Sequence, residues 1–323
     1  GELVAVSTID GRLQRFARLA LSSRLGELAG ENASDAAVLA ADNATGEVLA
    51  YVGNGGASSS ALYVDGITAR RQAGSTLKPF LYALAFDRRV LTAASVLDDS
   101  PLEVFVGRGL FRPNNYDNRF RGPLTAREAL ASSINVPAVR VLGLTGVQAL
   151  VGTLTDLGFA ELAPAEDYGP SLALGSPDVT LWELVAAYRA LANGGSASPL
   201  RLSVNGSRGR ARRALSPQAA FLAADILSDR QSRAGTFGLD GPLATPYWTA
   251  VKTGTSKDMR DNWCVGFSSR YTVGVWVGNF SGEPMWNVSG VSGAAPLWRD
   301  LMDFLNAGLP NSSPAPPPGL ARA

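Results

Sequence analysis

The 323-residue chain contains no histidine. That absence removes a serine-histidine-aspartate triad and any imidazole-ligated zinc site. There is one cysteine, Cys264, so no intrachain disulfide can form. Cys264 stands in the apolar run Trp263-Cys-Val-Gly-Phe267, where a free thiol behaves as a small hydrophobe; it is expected in a buried strand and not as a nucleophile. Excess charge is missing too, and a formal net charge of +1 gives no electrostatic argument for a nucleic-acid partner. No apolar run approaches the roughly 18 residues that a bilayer span requires. No metal or cofactor is expected. Nucleophilic catalysis, if present, must use Ser or Thr with Lys, Tyr or a carboxylate as base.

What is present is the composition of an ordinary globular protein, 46% hydrophobic and 18% charged, and long enough to bury a substantial core. The first residue is Gly1, with no signal peptide or anchor ahead of it, so the sequence is expected to be a piece of something longer. Residues 10–29 read as a helix, with Leu13, Phe16, Ala17, Ala20, Leu21 and Leu28 on one face and Gly30 as a stop. Two strands follow, 36–42 and 47–53, joined by the turn residues Asn43-Ala-Thr-Gly46. A Gly/Ser-rich loop is expected over 54–61. A second helix is predicted from Ser75, and most of 125–193 is helical in pattern, ending at Gly194-Gly195. Ser216 reads as the cap of a further helix with Pro217 in its first turn. Strands return at 249–255, 263–268 and 271–279, and a helix over 294–305 closes the pattern. The order predicts an α+β fold: one antiparallel sheet built from N- and C-terminal strands, flanked by helices, with a helical subdomain. Residues 1–307 are expected to form this domain, and 308–323, rich in Pro and Ser, a linker to a further C-terminal region.

Three short elements carry candidate chemistry. In Ser75-Thr-Leu-Lys78, positions three apart share a helix face, so the lysine can serve the serine as base if burial and neighbouring positive charge lower its pKa. A serine at a helix start also offers its own N–H to an oxyanion. Taken alone, the pair is equally readable as a capping serine and a surface lysine. Ser133-Ile-Asn135 places a hydroxyl and an amide two residues apart; the hydroxyl can pass a proton, and the amide can hold a substrate carbonyl or position a lysine. Taken alone, these are ordinary turn residues. Lys252-Thr-Gly-Thr255 falls on a predicted strand, where Gly254 marks close approach by another backbone. A cation and two hydroxyls beside an open edge suit a peptide that ends in a carboxylate, although an exposed strand with solvated side chains reads the same way. A phosphate loop is excluded, because Val251 and not Gly precedes Lys252.

Together, and in this order, the three are the signature shared by penicillin-binding proteins and class A β-lactamases. The chain resembles the transpeptidase domain of class A penicillin-binding proteins in Arg71-Gln-Ala-Gly-Ser-Thr-Leu-Lys-Pro-Phe80, Asn115-Tyr-Asp-Asn118 and the run from Gly122 to Ala138. Leu174-Gly-Ser-Pro-Asp-Val-Thr180 and Ala192-Asn-Gly-Gly195 resemble it as well. The late segments 252–256, 261–267, 271–279 and 288–296 are most similar to its 1C branch. The resemblance implies a penicillin-binding protein/serine β-lactamase-like fold in which Ser75 is acylated, Lys78 deprotonates it and Ser133 relays protons. It further implies that Lys252 supports the proton network, that Asn135 contacts the stem peptide, and that Thr253, Gly254 and Thr255 bind substrate. The N–H groups of Ser75 and Thr255 would form the oxyanion hole. The implied partners are peptidoglycan stem peptides, β-lactam antibiotics and a glycosyltransferase domain in the parent chain. The implied location is the periplasmic, extracytoplasmic face of the inner membrane, with the anchor in a parent segment.

Ile134 stands where class A β-lactamases have Asp, which favours the penicillin-binding side. The glutamates between the middle motif and Lys252 are Glu161, Glu166 and Glu183. None has the Leu-Asn spacing of a β-lactamase base, and Glu183 is expected to be a solvated helix residue. D,D-transpeptidase is therefore the leading expectation. A D,D-carboxypeptidase and a penicillin-binding scaffold with little turnover are the alternatives.

Overall fold

The structure, a computed structural model, describes residues 6–56, 59–107, 109–206 and 209–321. The loop expected over 54–61 therefore lies outside the described residues at 57 and 58. Helix α1 spans Gly11–Glu27, and its start is fixed by Asp10, whose side chain accepts from the N–H groups of Arg12 and Leu13. Strands β1 (Asp35–Asp42) and β2 (Val48–Val52) form the expected hairpin, with the Asp42 carboxylate accepting from Thr45 N. After the short β3 (Arg71–Gln72) comes a 3-10 turn, Gly74–Leu77, and only then α2, Lys78–Asp87.

The helix predicted from Ser75 thus begins three residues late. Gly74 has a positive φ of 54° and lies where a Cβ would strike the Thr255 carbonyl, so the chain approaches strand 250–255 in a tight turn before it can wind as an α-helix.

The middle of the chain holds two small antiparallel pairings, one nested inside the other, that the hydrophobic pattern does not signal. Strands β4 (Val96–Asp99), β5 (Val104–Val106), β6 (Gly109–Phe111) and β7 (Gly122–Thr125) pair as β4–β7 and β5–β6. Helices α3 (Ala126–Ala131), α4 (Asn135–Thr145), α5 (Val147–Leu157) and α6 (Ala165–Tyr168) build the helical subdomain. The two-residue β8 (Asp178–Val179) pairs with β3 and leads into α7, Leu181–Ala192. Strands β9 (Ser196–Ala197) and β10 (Arg212–Arg213) pair before α8 (Pro217–Ser228), which Ser216 caps with Pro217 in its first turn, and α9 (Arg230–Phe237). Strands β11 (Ala250–Thr255), β12 (Asp261–Phe267) and β13 (Tyr271–Gly278) then return to the sheet, and α10 (Ala294–Asn306) closes the fold.

The fold is α+β. Its central sheet has the order β11-β12-β13-β1-β2, antiparallel throughout, and the β1–β13 pairing from Asp35↔Gly278 to Asp42↔Tyr271 joins the N-terminal hairpin to the C-terminal strands. Both faces are buried. Val273, Val275 and Val277 pack toward α1 and α10, while Trp276 faces the side covered by α2, α7 and α8. Cys264 lies fully buried in β12. No single helix among the described residues is long and apolar enough to cross a membrane. Residues 309–321 form neither helix nor strand; Asn311 and Gln218 tie them to the domain through Trp248 O and Pro318 O.

Glu183 corrects a reading of the sequence. It is buried rather than solvated. Its carboxylate accepts from Thr180 N (2.8 Å) in a capping box at the start of α7, from Ala160 N (2.8 Å) and from Arg70 Nη2 (3.1 Å). Tertiary contacts from residues 70 and 160 enclose a position that helical periodicity alone leaves exposed. Glu183→Ala is expected to lose about 2–4 kcal/mol of stability in urea unfolding, because it removes a cap and strands Arg70. An exposed helix position would lose less than about 0.5 kcal/mol.

Candidate active site

All three sequence elements meet at one cleft of about 730 Å³ between the edge strand β11 and the helical subdomain. Ser75, Ser133, Asn135, Thr253 and Thr255 line it, together with Tyr116, Leu174, Phe237, Met259 and Val291.

The turn that carries Ser75 is locked on every side. Ala73 N donates to Pro177 O, Gly74 N to Gly175 O, Tyr188 OH to Thr76 O and Trp263 Nε1 to Gln72 O. Gly254 lets the turn sit against β11, since a Cβ there would lie 2.7 Å from Thr76 Cγ2 and 3.0 Å from Ala73 O. The partner whose approach this glycine signals is therefore the segment bearing Ser75. Gly254 touches the turn, and any contact it makes with a ligand is through its backbone.

The chain has three lysines, Lys78, Lys252 and Lys257, and the first two are buried in this cleft. Lys78 Nζ donates to Ser133 O (2.6 Å), Ile134 O (3.2 Å) and Asn135 Oδ1 (2.6 Å). All three hydrogens of its ammonium are taken by the middle motif, and Ser75 Oγ makes no hydrogen bond among the described residues. Burial holds the Lys78 pKa well below the ordinary lysine value, and the positive charge of Lys252 lowers it further. Lys252 Nζ donates to Ser133 Oγ (2.7 Å) and Thr253 O (2.8 Å), and burial pushes its pKa down to about 7. No carboxylate forms an ion pair with either amine among the described residues. The site therefore holds two lysines that release protons more readily than free lysine, both bonded to Ser133: Lys78 through its carbonyl and Lys252 through its hydroxyl.

The backbone of β11 completes the arrangement. Ser256 N donates to Asp261 O, and by the antiparallel alternation the N–H groups of Thr253 and Thr255 point off the outer edge of the sheet, away from β12. The Thr255 hydroxyl accepts from Gly290 N (3.0 Å) and keeps its own proton to donate. Asn135 donates one Nδ2 hydrogen to Asn114 O (2.8 Å) while its Oδ1 faces Lys78. Of the two roles left open for this amide, positioning a lysine is the one its contacts realise, and its second Nδ2 hydrogen remains for a ligand.

Asn115 and Asp99, to which the sequence reading assigned no role, are bonded to the site through Asn135. Asn115 Oδ1 accepts from Asn135 N (3.0 Å), and the buried Asp99 carboxylate holds the Asn115 amide at 2.8 and 2.9 Å. The available signal was Ile134, which sits at the cap position of α4 and has no side chain able to cap it.

A family model described as the penicillin binding protein transpeptidase domain matches residues 36–303. The chain is 33% identical over 303 residues to penicillin-binding protein 1C of Escherichia coli (strain K12), covering 93% of this chain and 38% of that protein. It is 30% identical to penicillin-binding protein 1A of Pseudomonas aeruginosa, covering 89% and 42% respectively. Among solved structures, PonA1 from Mycobacterium tuberculosis in complex with penicillin V aligns with a TM-score of 0.81 at 25% identity, over 97% of this chain and 89% of that one. The chain belongs to the penicillin-binding protein transpeptidase family, whose fold is of the serine acyltransferase and hydrolase type. The likeness of the late strands to the 1C branch agrees with the match to the Escherichia coli 1C protein. The chain spans about two fifths of the length of the curated relatives it matches.

Ser133 is held in a left-handed conformation, φ 59°, at the end of α3. Ser133 N donates to Leu130 O and Ile134 N to Ala129 O, the hydrogen-bond pattern of a helix end that glycine usually closes. The serine is kept there at a backbone cost. Ser133→Gly should therefore be more stable than Ser133→Ala by about 1 kcal/mol in thermal unfolding, although both lose the hydroxyl.

Proposed function

We propose that this domain is a peptidoglycan D,D-transpeptidase that forms an acyl-enzyme on Ser75 from D-Ala-D-Ala stem peptides and binds penicillins covalently at the same serine. The observation that carries the reading is the pair of buried lysines with no counter-ion among the described residues, set beside two serines and an open strand edge. A neutral Lys78, having lost one proton, keeps two hydrogens for the middle motif and turns its lone pair to Ser75 Oγ. It takes the serine proton as Oγ attacks the penultimate D-Ala carbonyl. The N–H groups of Ser75 and Thr255 receive the oxyanion. Lys252, Thr253 and Thr255 bind the terminal carboxylate, with the peptide laid along the edge of β11 and Gly254 contributing backbone alone. The bond to the terminal D-Ala breaks, Ser133 and Lys252 pass a proton to the departing amine, and an acceptor amine then attacks the ester to form the cross-link.

The cleft also explains why the ester would persist when the acyl group comes from penicillin. Class A β-lactamases hydrolyse that ester with a carboxylate that activates water over it. Of the described residues lining the cleft only Asp258 carries one, and it lies exposed beyond β11. Glu183 is committed to Arg70 and the cap of α7. A penicillin complex is the printed subject of the PonA1 structure, which supports penicillin as the ligand here. For the parent protein we propose a membrane-anchored, extracytoplasmic enzyme with a glycosyltransferase domain. Residues 1–307 would form the transpeptidase unit and 308–323 the linker to a C-terminal region.

Mass spectrometry after exposure to benzylpenicillin tests this reading directly. One stable adduct is expected on Ser75, with no sustained release of penicilloic acid and no adduct in Ser75→Ala. An adduct in that variant, or many turnovers per molecule, would sink it. Incubation of a stem-peptide donor with and without an added amine distinguishes transpeptidation from carboxypeptidation by its products.

The pH profile tests the lysines. The second-order acylation constant should rise with pH as Lys78 gives up its proton, and fall again from about pH 7 as Lys252 loses the charge that receives the carboxylate. Lys252→Arg should move the falling limb to higher pH, and Lys78→Arg should be as inactive as Lys78→Ala, because guanidinium does not release its proton.

A further inference from the structure

We propose that Asp99 is a positioning residue for the acylation reaction, acting through Asn115 and Asn135 to keep Lys78 aligned with Ser75. The proposal rests on the transpeptidase reading above and extends it to a carboxylate outside the cleft.

The argument follows the direction of each hydrogen bond. Helix α4 begins at Asn135, and its cap residue Ile134 makes no side-chain bond. Two N–H groups at that end, Asn135 N and Val136 N, instead donate to Asn115 Oδ1 at 3.0 and 3.3 Å. The cap comes from another segment of the chain. An asparagine offers oxygen on one side and nitrogen on the other, so capping works only if its amide is held one way round. Asp99 fixes that choice. Its carboxylate can only accept, is fully buried, and takes Asn115 Nδ2 at 2.8 and 2.9 Å and Arg121 N at 2.9 Å. The second Nδ2 hydrogen of Asn115 goes to Arg119 O at 2.7 Å.

Holding Asn115 also holds its neighbour Asn114, whose carbonyl accepts from Asn135 Nδ2 at 2.8 Å. That bond fixes the second amide, and Asn135 Oδ1 is left facing Lys78 Nζ at 2.6 Å. One acceptor-only group thus sets the polarity of two amides and the oxygen that the catalytic lysine meets. No Lys or Arg forms an ion pair with Asp99 among the described residues, so charge neutralisation does not account for its place. The ionisable groups bearing on this chain are few. Lys252 on β11 acts on Lys78, and Tyr82 on α2 is the phenol that feels the charge of Asp99.

Asp99→Asn replaces the acceptor-only group with one that presents hydrogens to Asn115 Nδ2 or Arg121 N. The expected result is an acylation constant reduced about 10- to 100-fold, of the size seen when outer-shell partners of a reacting group are lost. With only three lysines in the chain, Lys78 can be followed by NMR of the protein labelled at lysine Cε. Its titration should move to lower pH in the variant, because an oxygen that stabilises the ammonium has turned away. The exchanged pair Asp99→Asn with Asn115→Asp restores an acceptor for Asn135 N while losing the donor to Arg119 O, and should recover part of the rate and move the titration back toward wild type.

An unmoved Lys78 titration in Asp99→Asn overturns the proposal. So does an acylation constant within about twofold of wild type. If Asp99→Asn fails to fold, Asn115→Ser gives the same comparison from the other end of the bond and is judged by the same two outcomes. The titration is read without penicillin, so it stands even if the function proposed above fails.

Discussion

The structure turns on the burial of two lysines against the residues that line one cleft, with no carboxylate among the described residues paired to either. An isolated buried ammonium is strongly disfavoured, and proteins relieve it by pairing the charge or by letting the proton leave. Here no carboxylate among the described residues pairs with either amine, and burial loosens the hold of each on its proton. Lys78 is fully buried among two carbonyls and an amide oxygen, and Lys252 is buried between a serine hydroxyl and a carbonyl. Oxygen dipoles hold the positive forms loosely, and each amine gives up its proton at a pH where free lysine would not. In a chain without histidine, these buried amines are side chains that can exchange a proton below the ordinary lysine range.

Much of the remaining architecture serves to keep the two amines dry and in register. The five-stranded sheet supplies a stiff edge in β11, and the tight turn at Gly74–Leu77 lies directly against that edge because Gly254 has no side chain to hold it off. The break between α3 and α4 sets the other wall. It points the carbonyls of Ser133 and Ile134 at Lys78, and it does so with Ser133 in a conformation better suited to glycine. Strain at Ser133, a borrowed cap at α4 and two buried lysines with no carboxylate partner among the described residues all fall at the same place. Such local conflicts gather where a fold gives up stability for chemistry.

The sequence carried the three motifs that meet at the cleft and the order of the large elements. Ser75, Lys78, Ser133, Lys252 and Thr255 were named from three short motifs, and the strands from both ends of the chain showed their period clearly. Lysine, serine and glycine at fixed spacings are chemically specific, and a strand of alternating valines leaves few other readings. Absences did as much as motifs, since a chain with no histidine and a single cysteine leaves only a hydroxyl nucleophile with an unusual base.

Only the tertiary structure decided how those groups are held. Periodicity made Glu183 a solvated residue of α7, but segments more than 20 residues away close over it and use its carboxylate. The same pattern started a helix at Ser75, where contact with β11 imposes a 3-10 turn. Asn115 entered the sequence reading only as part of a family-like segment and Asp99 not at all, because their roles lie in which atom of an amide faces which helix end, and that is set by a carboxylate 16 residues from the amide it orients. Hydrophobic period and motif spacing are properties of a local stretch of chain. The direction of a hydrogen bond between distant segments, and the loss of water around a lysine, exist only once the chain has folded.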